Sequence, residues 1–190
     1  MTNQLDGLKV AILATDGFEQ SELFEPKQAL EDAGAKVSIV SLEMGAIKGW
    51  DDKDWGDSIA VDLTIADADA NDFDALQLPG GVMNPDKLRM DEKAVAFIKS
   101  FFEAGKPVAA ICHAPWTLIE ADVVKGKKLT SWSSLRTDLE NAGAEWVDAE
   151  VVTDKGLITS RNPQDIPAFN RKMIEEFAEA VDRRQKSAAQ

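Results

Sequence analysis

The chain has 190 residues, 44% of them hydrophobic and 29% charged, which suits one globular domain with a sizeable core. Its net charge of −13 makes nucleic acid and anionic membrane surfaces poor partners, because both are themselves negatively charged. The one cysteine excludes an intramolecular disulfide. Neither a secretory signal nor an apolar stretch of membrane-spanning length is visible. We therefore expect a cytoplasmic protein.

The first part of the chain predicts a β-α-β unit. Residues 8–14 form an apolar run typical of a strand buried on both faces, and residues 36–42 indicate a second strand. Between them we expect a helix from about Ser21 to Ala33, with Gly34 as its C-cap. This order favours a parallel sheet with helices on both faces.

In the middle of the chain, residues 45–58 are rich in Gly, Asp and Trp and indicate a loop or a small hairpin. The alternating residues 58–65 predict an edge strand, and residues 73–78 a buried one. A helix is expected from an N-cap at Asp91 to about Gly105, followed by the apolar strand 108–111.

The last part of the chain alternates short elements and ends in a helix opened by Asn162 and Pro163. The other predicted elements here are a helix at 115–121, a strand at 129–132, a helix at 134–142 and a strand pair at 146–153 and 157–160. Without repeats or a low-complexity linker, we expect a single domain over residues 8–182, with flexible ends at 1–7 and 183–190.

Three features that can carry chemistry follow predicted strands. They are the acidic segment 16–22, the turn Pro79-Gly80-Gly81 and the pair Cys112-His113. Because ligands of parallel α/β sheets bind beyond the carboxyl ends of the strands, we expect these features to meet in one crevice.

Cys112 lies between an apolar strand and a predicted helix, which is the setting of a nucleophile elbow. Backbone N–H groups and the helix N-terminus there favour the thiolate and predict a lowered thiol pKa. The alternative is an inert cysteine buried at a strand end, since cysteine is among the most buried residue types.

The only histidine, His113, must carry any imidazole acid–base role, and its being alone excludes metal sites built on several histidines. The N–H groups of Gly80, Gly81 and His113 are candidates for an oxyanion hole. A Pro-Gly-Gly turn is also common for purely structural reasons. No nucleotide, metal or other cofactor site is evident.

Three ordered motifs resemble the PfpI family, which belongs to the superfamily of the human parkinsonism-associated deglycase. They are GFEQSELFEP at 17–26, DALQLPGG at 74–81 and AICHAP at 110–115, within a similarity from about Lys9 to Glu179. The resemblance implies a three-layer α-β-α sandwich with a mainly parallel, flavodoxin-like central sheet, as in class I glutamine amidotransferases.

The resemblance also implies site residues and a homodimer or higher homo-oligomer. It makes Cys112 the nucleophile, with Glu22 beside its sulfur. Asp86 matches a glutamate that, in the protease-like members, orients the histidine of a neighbouring subunit; it is one carbon shorter here. Ala114 replaces the glycine usual after Cys-His.

Glu22 must carry a proton if it is to favour a thiolate. An ionised carboxylate beside the sulfur would raise the pKa of the cysteine by like-charge repulsion. We therefore predict that Glu22 is a carboxylic acid with an elevated pKa that donates a hydrogen bond to the sulfur.

Two functions are compatible with this site. In the first, a stress-related enzyme uses Cys112 to attack small carbonyl compounds such as methylglyoxal or glycated groups, with Glu22 or His113 moving protons. Family members are also labelled intracellular cysteine peptidases, in which attack is on an amide of a peptide. In the second, a non-catalytic redox sensor or chaperone-like stress protein is oxidised at Cys112 to sulfenic and sulfinic acid.

Overall fold

The computed structural model describes residues 4–188, and its elements follow the predicted alternation of strands and helices. The strands are β1 Lys9–Leu13, β2 Phe18–Glu19, β3 Lys36–Ser41, β4 Ala46–Asp51, β5 Asp54–Ala60, β6 Leu63–Thr64, β7 Ala75–Leu78, β8 Val108–Ile111, β9 Lys128–Leu129, β10 Glu145–Trp146, β11 Val152–Asp154 and β12 Leu157–Ser160. The helices are α1 Gln20–Asp32, α2 Met83–Leu88, α3 Glu92–Glu103, α4 Pro115–Glu120, α5 Arg136–Asn141 and α6 Ile166–Ala188. Short 3-10 turns lie at Ala70–Asp72, Ser133–Leu135 and Pro163–Asp165.

Within residues 4–188, the central sheet has seven strands in the order β11-β12-β8-β7-β1-β3-β6. All neighbours are parallel except β11, which runs antiparallel to β12 at one edge. Strands β7, β8 and β12 are buried at every position, which is why their sequences show no alternation of apolar and polar residues. Five adjacent strands of this sheet, β3-β1-β7-β8-β12, lie in the flavodoxin order 2-1-3-4-5. The predicted fold class is confirmed.

Helices cover both faces of this sheet. On one face α3 contributes Phe97, Ile98 and Phe101 to a cluster with Leu76 and Leu78 of β7. On the other face α6 contributes Phe169, Met173 and Phe177, and α1 contributes Leu30, to a cluster with Val10, Ala75, Ala109 and Ile158 of the sheet. The sandwich therefore has the three expected layers. None of the described helices is long and apolar enough to cross a membrane.

The segment expected as a loop or hairpin is a hairpin. Strands β4 and β5 pair antiparallel, and β2 joins β4 to make a separate small sheet. The edge strand expected at 58–65 is shorter than predicted, because residues 58–60 belong to β5 and only Leu63–Thr64 pairs with β3.

One further prediction needs correction, and one helix was missed. The strand expected at 146–153 is two strands: Glu145–Trp146 pairs with β9, whereas Val152–Asp154 pairs with β12. Helix α2 was not predicted, because its six residues are too few to show a helical periodicity.

The chain ends also differ in part from expectation. Leu5 is buried and its N–H donates to the carbonyl of Ala33 at 2.9 Å, while α6 continues past residue 182 to Ala188. Residues 1–3 and 189–190 lie outside the described residues, and flexibility of the ends stays a prediction.

Candidate active site

Cys112 has a left-handed backbone conformation, with φ of 64°, between β8 and α4. Its N–H donates to the carbonyl of Ser160 at 3.0 Å, and its carbonyl accepts from the N–H of Trp132 at 2.9 Å. A non-glycine residue at positive φ costs on the order of 1–3 kcal/mol and persists only where its surroundings fix it. The strand-to-helix turn thus has the strained form of the predicted elbow.

Glu22, in the first turn of α1, is completely buried beside this elbow. Its Oε2 accepts the N–H of Gly80 at 2.9 Å. Its Oε1 is buried without a hydrogen-bond partner of ordinary geometry among the described residues, and the carboxyl group interacts with the Cys112 thiol. A Cβ added to Gly80 would collide with Glu22 Oε2 and lie 2.7 Å from the Cβ of Cys112, so the acid and the cysteine both close around this glycine.

The environment of Glu22 favours the protonated acid. Burial, and then the negative charge of Glu19, raise the pKa of Glu22 to about 8. The contact with Cys112 and the N–H groups of Gly80 and Gly81 act in the opposite direction but do not cancel this rise. At neutral pH Glu22 therefore holds its proton, as the sequence hypothesis requires.

The pKa of the Cys112 thiol is raised, whereas the elbow alone predicted a lowered one. Cys112 is only 6% exposed, and burial, followed by the charge of an ionised Glu22, raises its pKa. The N–H groups of Gly81 and His113 lower it, which is the predicted effect, but burial is the larger cause. Because an ionised Glu22 raises the pKa of the thiol, loss of the Glu22 proton makes loss of the Cys112 proton harder still.

His113 lies directly against the sulfur. Its Nδ1 is 3.2 Å from Cys112 Sγ, and burial lowers the pKa of the imidazole, which favours the neutral ring. The ring is stacked on Trp132, with centroids 5.8 Å apart, and meets Trp116 edge-on at 5.1 Å. A neutral imidazole fixed between two indoles can accept or donate a proton next to the sulfur.

The two glycines of the predicted oxyanion hole have different roles. The N–H of Gly80 is already used by Glu22, so its assignment as an oxyanion donor needs correction. The N–H groups of Gly81 and His113 interact with the sulfur instead, and they remain the candidates for that role. Gly81 has φ of 79°, and a Cβ there would lie 2.7 Å from the backbone nitrogen of Glu19, so glycine is required.

Asp86 is not brought to the site within one chain. It is exposed on α2, and its carboxylate has no hydrogen bond or ion pair with the described residues. A role across a subunit boundary stays a prediction. Over residues 4–188, no group of three or more His, Cys, Asp and Glu side chains is placed to hold a metal ion.

Of three residues that support the site, two were missed from the sequence, and Glu19 was included only as part of the acidic segment 16–22. Asn84 is fully buried, accepts the N–H of Thr15 and donates to the carbonyls of Pro79 and Gly80. Glu19 is the N-cap of α1, and Trp132 covers His113. Only Glu19 had a sequence signal, as an acidic residue before a helix; the other two depend on loop paths that periodicity does not reveal.

Known proteins that are similar to this chain belong to the family that the sequence motifs resemble. Residues 8–176 match the model of the DJ-1/PfpI family. The chain is 48% identical to the "Putative cysteine protease YraA" of Bacillus subtilis, over 87% of this chain and 96% of that protein. It is 47% identical to the "Deglycase TK1284" of Thermococcus kodakarensis, over 88% of this chain and 98% of that protein.

A solved structure has the same fold. It is a two-domain protein of Anabaena variabilis with a DJ-1/ThiJ/PfpI-like and a ferritin-like domain, which superposes with a TM-score of 0.84 at 39% identity. The match covers 88% of this chain but 47% of that one, so this chain spans about half of its length. With a family match over most of its length and relatives nearly half identical, the chain belongs to the DJ-1/PfpI family.

Proposed function

We propose that this protein is a stress-related, cysteine-dependent enzyme that acts on small carbonyl compounds, of the glyoxalase or deglycase type. The observation that carries the proposal is the placement of the completely buried Glu22 carboxyl group beside Cys112 at a strained elbow. Relatives named deglycase and putative cysteine protease support an enzyme, without fixing the reaction.

The first step is addition of the Cys112 sulfur to the aldehyde carbon of methylglyoxal, while the thiol proton passes to Nδ1 of neutral His113, 3.2 Å away. A carbon–sulfur bond forms, and the π electrons of the carbonyl move to its oxygen. That oxygen takes the proton of Glu22, giving a neutral hemithioacetal and leaving Glu22 as a carboxylate. The N–H groups of Gly81 and His113 stabilise the developing oxyanion.

The remaining steps return the site to its starting state. The Glu22 carboxylate removes the proton from the former aldehyde carbon and delivers it to the neighbouring carbon. The hydroxyl proton of the hemithioacetal moves to the former ketone oxygen, which gives a lactoyl thioester. Water then cleaves the thioester to lactate, the released sulfur recovers its proton from water, and Glu22 recovers its proton from His113. The sum is methylglyoxal plus water to lactate and one proton, with no oxidant and no cofactor.

An aldehyde suits this site better than a peptide amide does. Amide cleavage needs a strong acid for the leaving amine, and burial lowers the pKa of His113, so the protonated imidazole is scarce at neutral pH. A peptide is thus a less favoured substrate than a small carbonyl compound. The proposal also includes a homodimer or higher homo-oligomer, which rests on the family. It further includes a cytoplasmic location, which rests on the sequence.

The test measures methylglyoxal loss and lactate formation by wild type, Cys112→Ser and Glu22→Gln. Cys112→Ser should abolish turnover, and Glu22→Gln should lower kcat by about 10²–10⁴, the range typical of a lost general acid–base group. Equal rates for wild type and Cys112→Ser would overturn the enzymatic proposal. Stoichiometric modification of Cys112 without turnover would instead favour the redox-sensor alternative.

A further inference from the structure

Only one of the two ring nitrogens of His113 has a hydrogen-bond partner in the described chain. Its Nδ1 is 3.2 Å from Cys112 Sγ, whereas residues 4–188 offer its Nε2 no partner. The base of a nucleophile–base pair is ordinarily oriented by a third group, which binds its second nitrogen. Here the ring is instead in contact with two indoles, those of Trp116 and Trp132.

The two indoles differ in how firmly they are held. Trp132 stacks on the imidazole but is 40% exposed, and its ring N–H has no acceptor among the described residues. Trp116 meets His113 edge-on, with ring centroids 5.1 Å apart, and is half-buried. It packs against a buried cluster that includes Leu118 of α4 and Leu139 of α5. Trp116 is thus the fixed wall beside the imidazole, and Trp132 is its exposed cover.

Side chains from two other helices hold Trp116 in place. Its Nε1–H donates to Asp138 Oδ2 on α5 at 3.1 Å. The guanidinium carbon of Arg89, the C-cap of α2, lies 5.7 Å from the centre of the indole, which is within the range of a cation–π contact. The hydrogen bond to Asp138 restricts rotation of the indole, and so determines which edge of the ring His113 meets.

Building on the proposed function, we infer that Trp116 is a positioning residue that, anchored by Asp138, holds the His113 ring with Nδ1 against Cys112 Sγ. In the proposed reaction Nδ1 takes the thiol proton as the sulfur attacks, and this transfer needs the two atoms within hydrogen-bond reach. An indole free to rotate would let the imidazole turn away from the sulfur. Helix α5 contributes no reacting group, yet it controls the proton transfer through Asp138 and Trp116.

The test removes the anchoring hydrogen bond from either side. Asp138→Ala removes the acceptor, and Trp116→Phe removes the donor while keeping an aromatic ring. Each should slow alkylation of Cys112 by iodoacetamide at pH 7, and lower kcat for methylglyoxal with little change in KM. The expected loss is about two- to tenfold, the range of one ordinary hydrogen bond. The double variant should be no slower than the slower single one, because both changes delete the same contact.

NMR gives a readout that a merely structural role would not move, because His113 is the only histidine in the chain. A proton–nitrogen correlation spectrum of the imidazole distinguishes its two neutral tautomers. In wild type, Nδ1 faces the thiol and the ring proton should lie on Nε2. Asp138→Ala should shift both nitrogen signals towards the averaged values of a free imidazole.

Two further variants of α5 serve as controls. Glu140→Ala removes a carboxylate from the same exposed helix, where it pairs with Arg136 at 2.9 Å, and should leave the alkylation rate and the tautomer unchanged. Asp138→Asn keeps an acceptor oxygen without the charge, and should retain most of the wild-type rate.

The inference is overturned if Asp138→Ala leaves either the alkylation rate or the tautomer unchanged, if Asp138→Asn loses as much as Asp138→Ala, or if Glu140→Ala falls as far. Alkylation and NMR need no carbonyl turnover, so their outcome is separate from that of the proposed function. A wild type that consumes no methylglyoxal would refute the proposed function, and these two readouts would still decide the role of Trp116.

Discussion

A carboxylic acid kept inside a protein reduces the stability of the fold above its ordinary pKa. Glu22 loses its proton near pH 4.5 in the unfolded chain but only near pH 8 in the folded one. Between these values the folded state binds more protons than the unfolded state, so the free energy of unfolding falls as the pH rises. At about 1.4 kcal/mol per pKa unit, the loss by pH 8 is on the order of 5 kcal/mol.

Replacing Glu22 with glutamine should remove this penalty. The variant keeps an oxygen for the N–H of Gly80 and carries no ionisable group, so it should be more stable than wild type at pH 8 and about equally stable at pH 5. Urea unfolding at pH 5, 6, 7 and 8 measures the free energy of unfolding of both proteins. The contributions of other ionisable groups cancel in the difference between them. A gap between the two proteins that stays constant with pH would contradict the raised pKa.

At the scale of the element, the capping of α3 offers a test away from the site. Asp91 Oδ1 accepts the N–H of Ala94 at 2.8 Å, which satisfies one of the free N–H groups at the helix start. Asp91→Ala should lower the free energy of unfolding by about 1 kcal/mol, measured by urea denaturation. The alkylation rate of Cys112 should not change.

Asp91→Asn is the matched variant, because asparagine offers the same capping oxygen without the charge. It should keep most of the stability that the alanine variant loses. Equal losses in both would mean that the carboxylate stabilises α3 through its charge on the helix dipole rather than through the cap.

The elements with strong local patterns were predictable from the sequence. Mainly apolar segments located β1, β7 and β8, and an N-cap aspartate located the start of α3. Elements defined by partners distant in sequence were not: β2 has two residues that exist as a strand only because they pair with β4. Short pairings of this kind have no periodicity of their own.

The same distinction holds within the site. Cys112, Glu22 and the glycines could be placed together because strand ends in a parallel sheet meet at one edge. The raised pKa of the thiol could not be foreseen, since it depends on how completely the surrounding loops bury the sulfur. The hydrogen bond from the N–H of Gly80 to Glu22 could not be foreseen either, because it depends on the rotamer of one buried side chain.

At the scale of the whole molecule, the strand order determines where the crevice opens. β1 lies between β3 and β7, so the connections that leave β1 and β7 diverge to opposite faces of the sheet, and the segments after them form the two walls. Cys112 follows the adjacent β8 and reaches the same edge. The site therefore combines segments about ninety residues apart in the chain.

Asp86 raises the question of whether one chain is sufficient for this site. It is exposed on α2, and its carboxylate has no hydrogen bond or ion pair with the described residues, so it is free to contact a second copy. In a two-fold symmetric dimer each Asp86 would serve the His113 of the other subunit. If so, Asp86→Ala should lower methylglyoxal turnover although the carboxylate makes no hydrogen bond or ion pair with the described residues of its own chain.

Mixing two inactive variants tests that arrangement directly. Subunits carrying Cys112→Ser and subunits carrying Asp86→Ala, exchanged at random in a dimer, should recover about a quarter of the wild-type rate, because half of the dimers are mixed and each has one complete site. Each variant alone supplies the baseline. A mixture no more active than its parents, or a fully active Asp86→Ala protein, would mean that the site is complete within one chain. Since the net charge of −13 opposes association, recovery should increase with salt, which screens the repulsion between the acidic subunits.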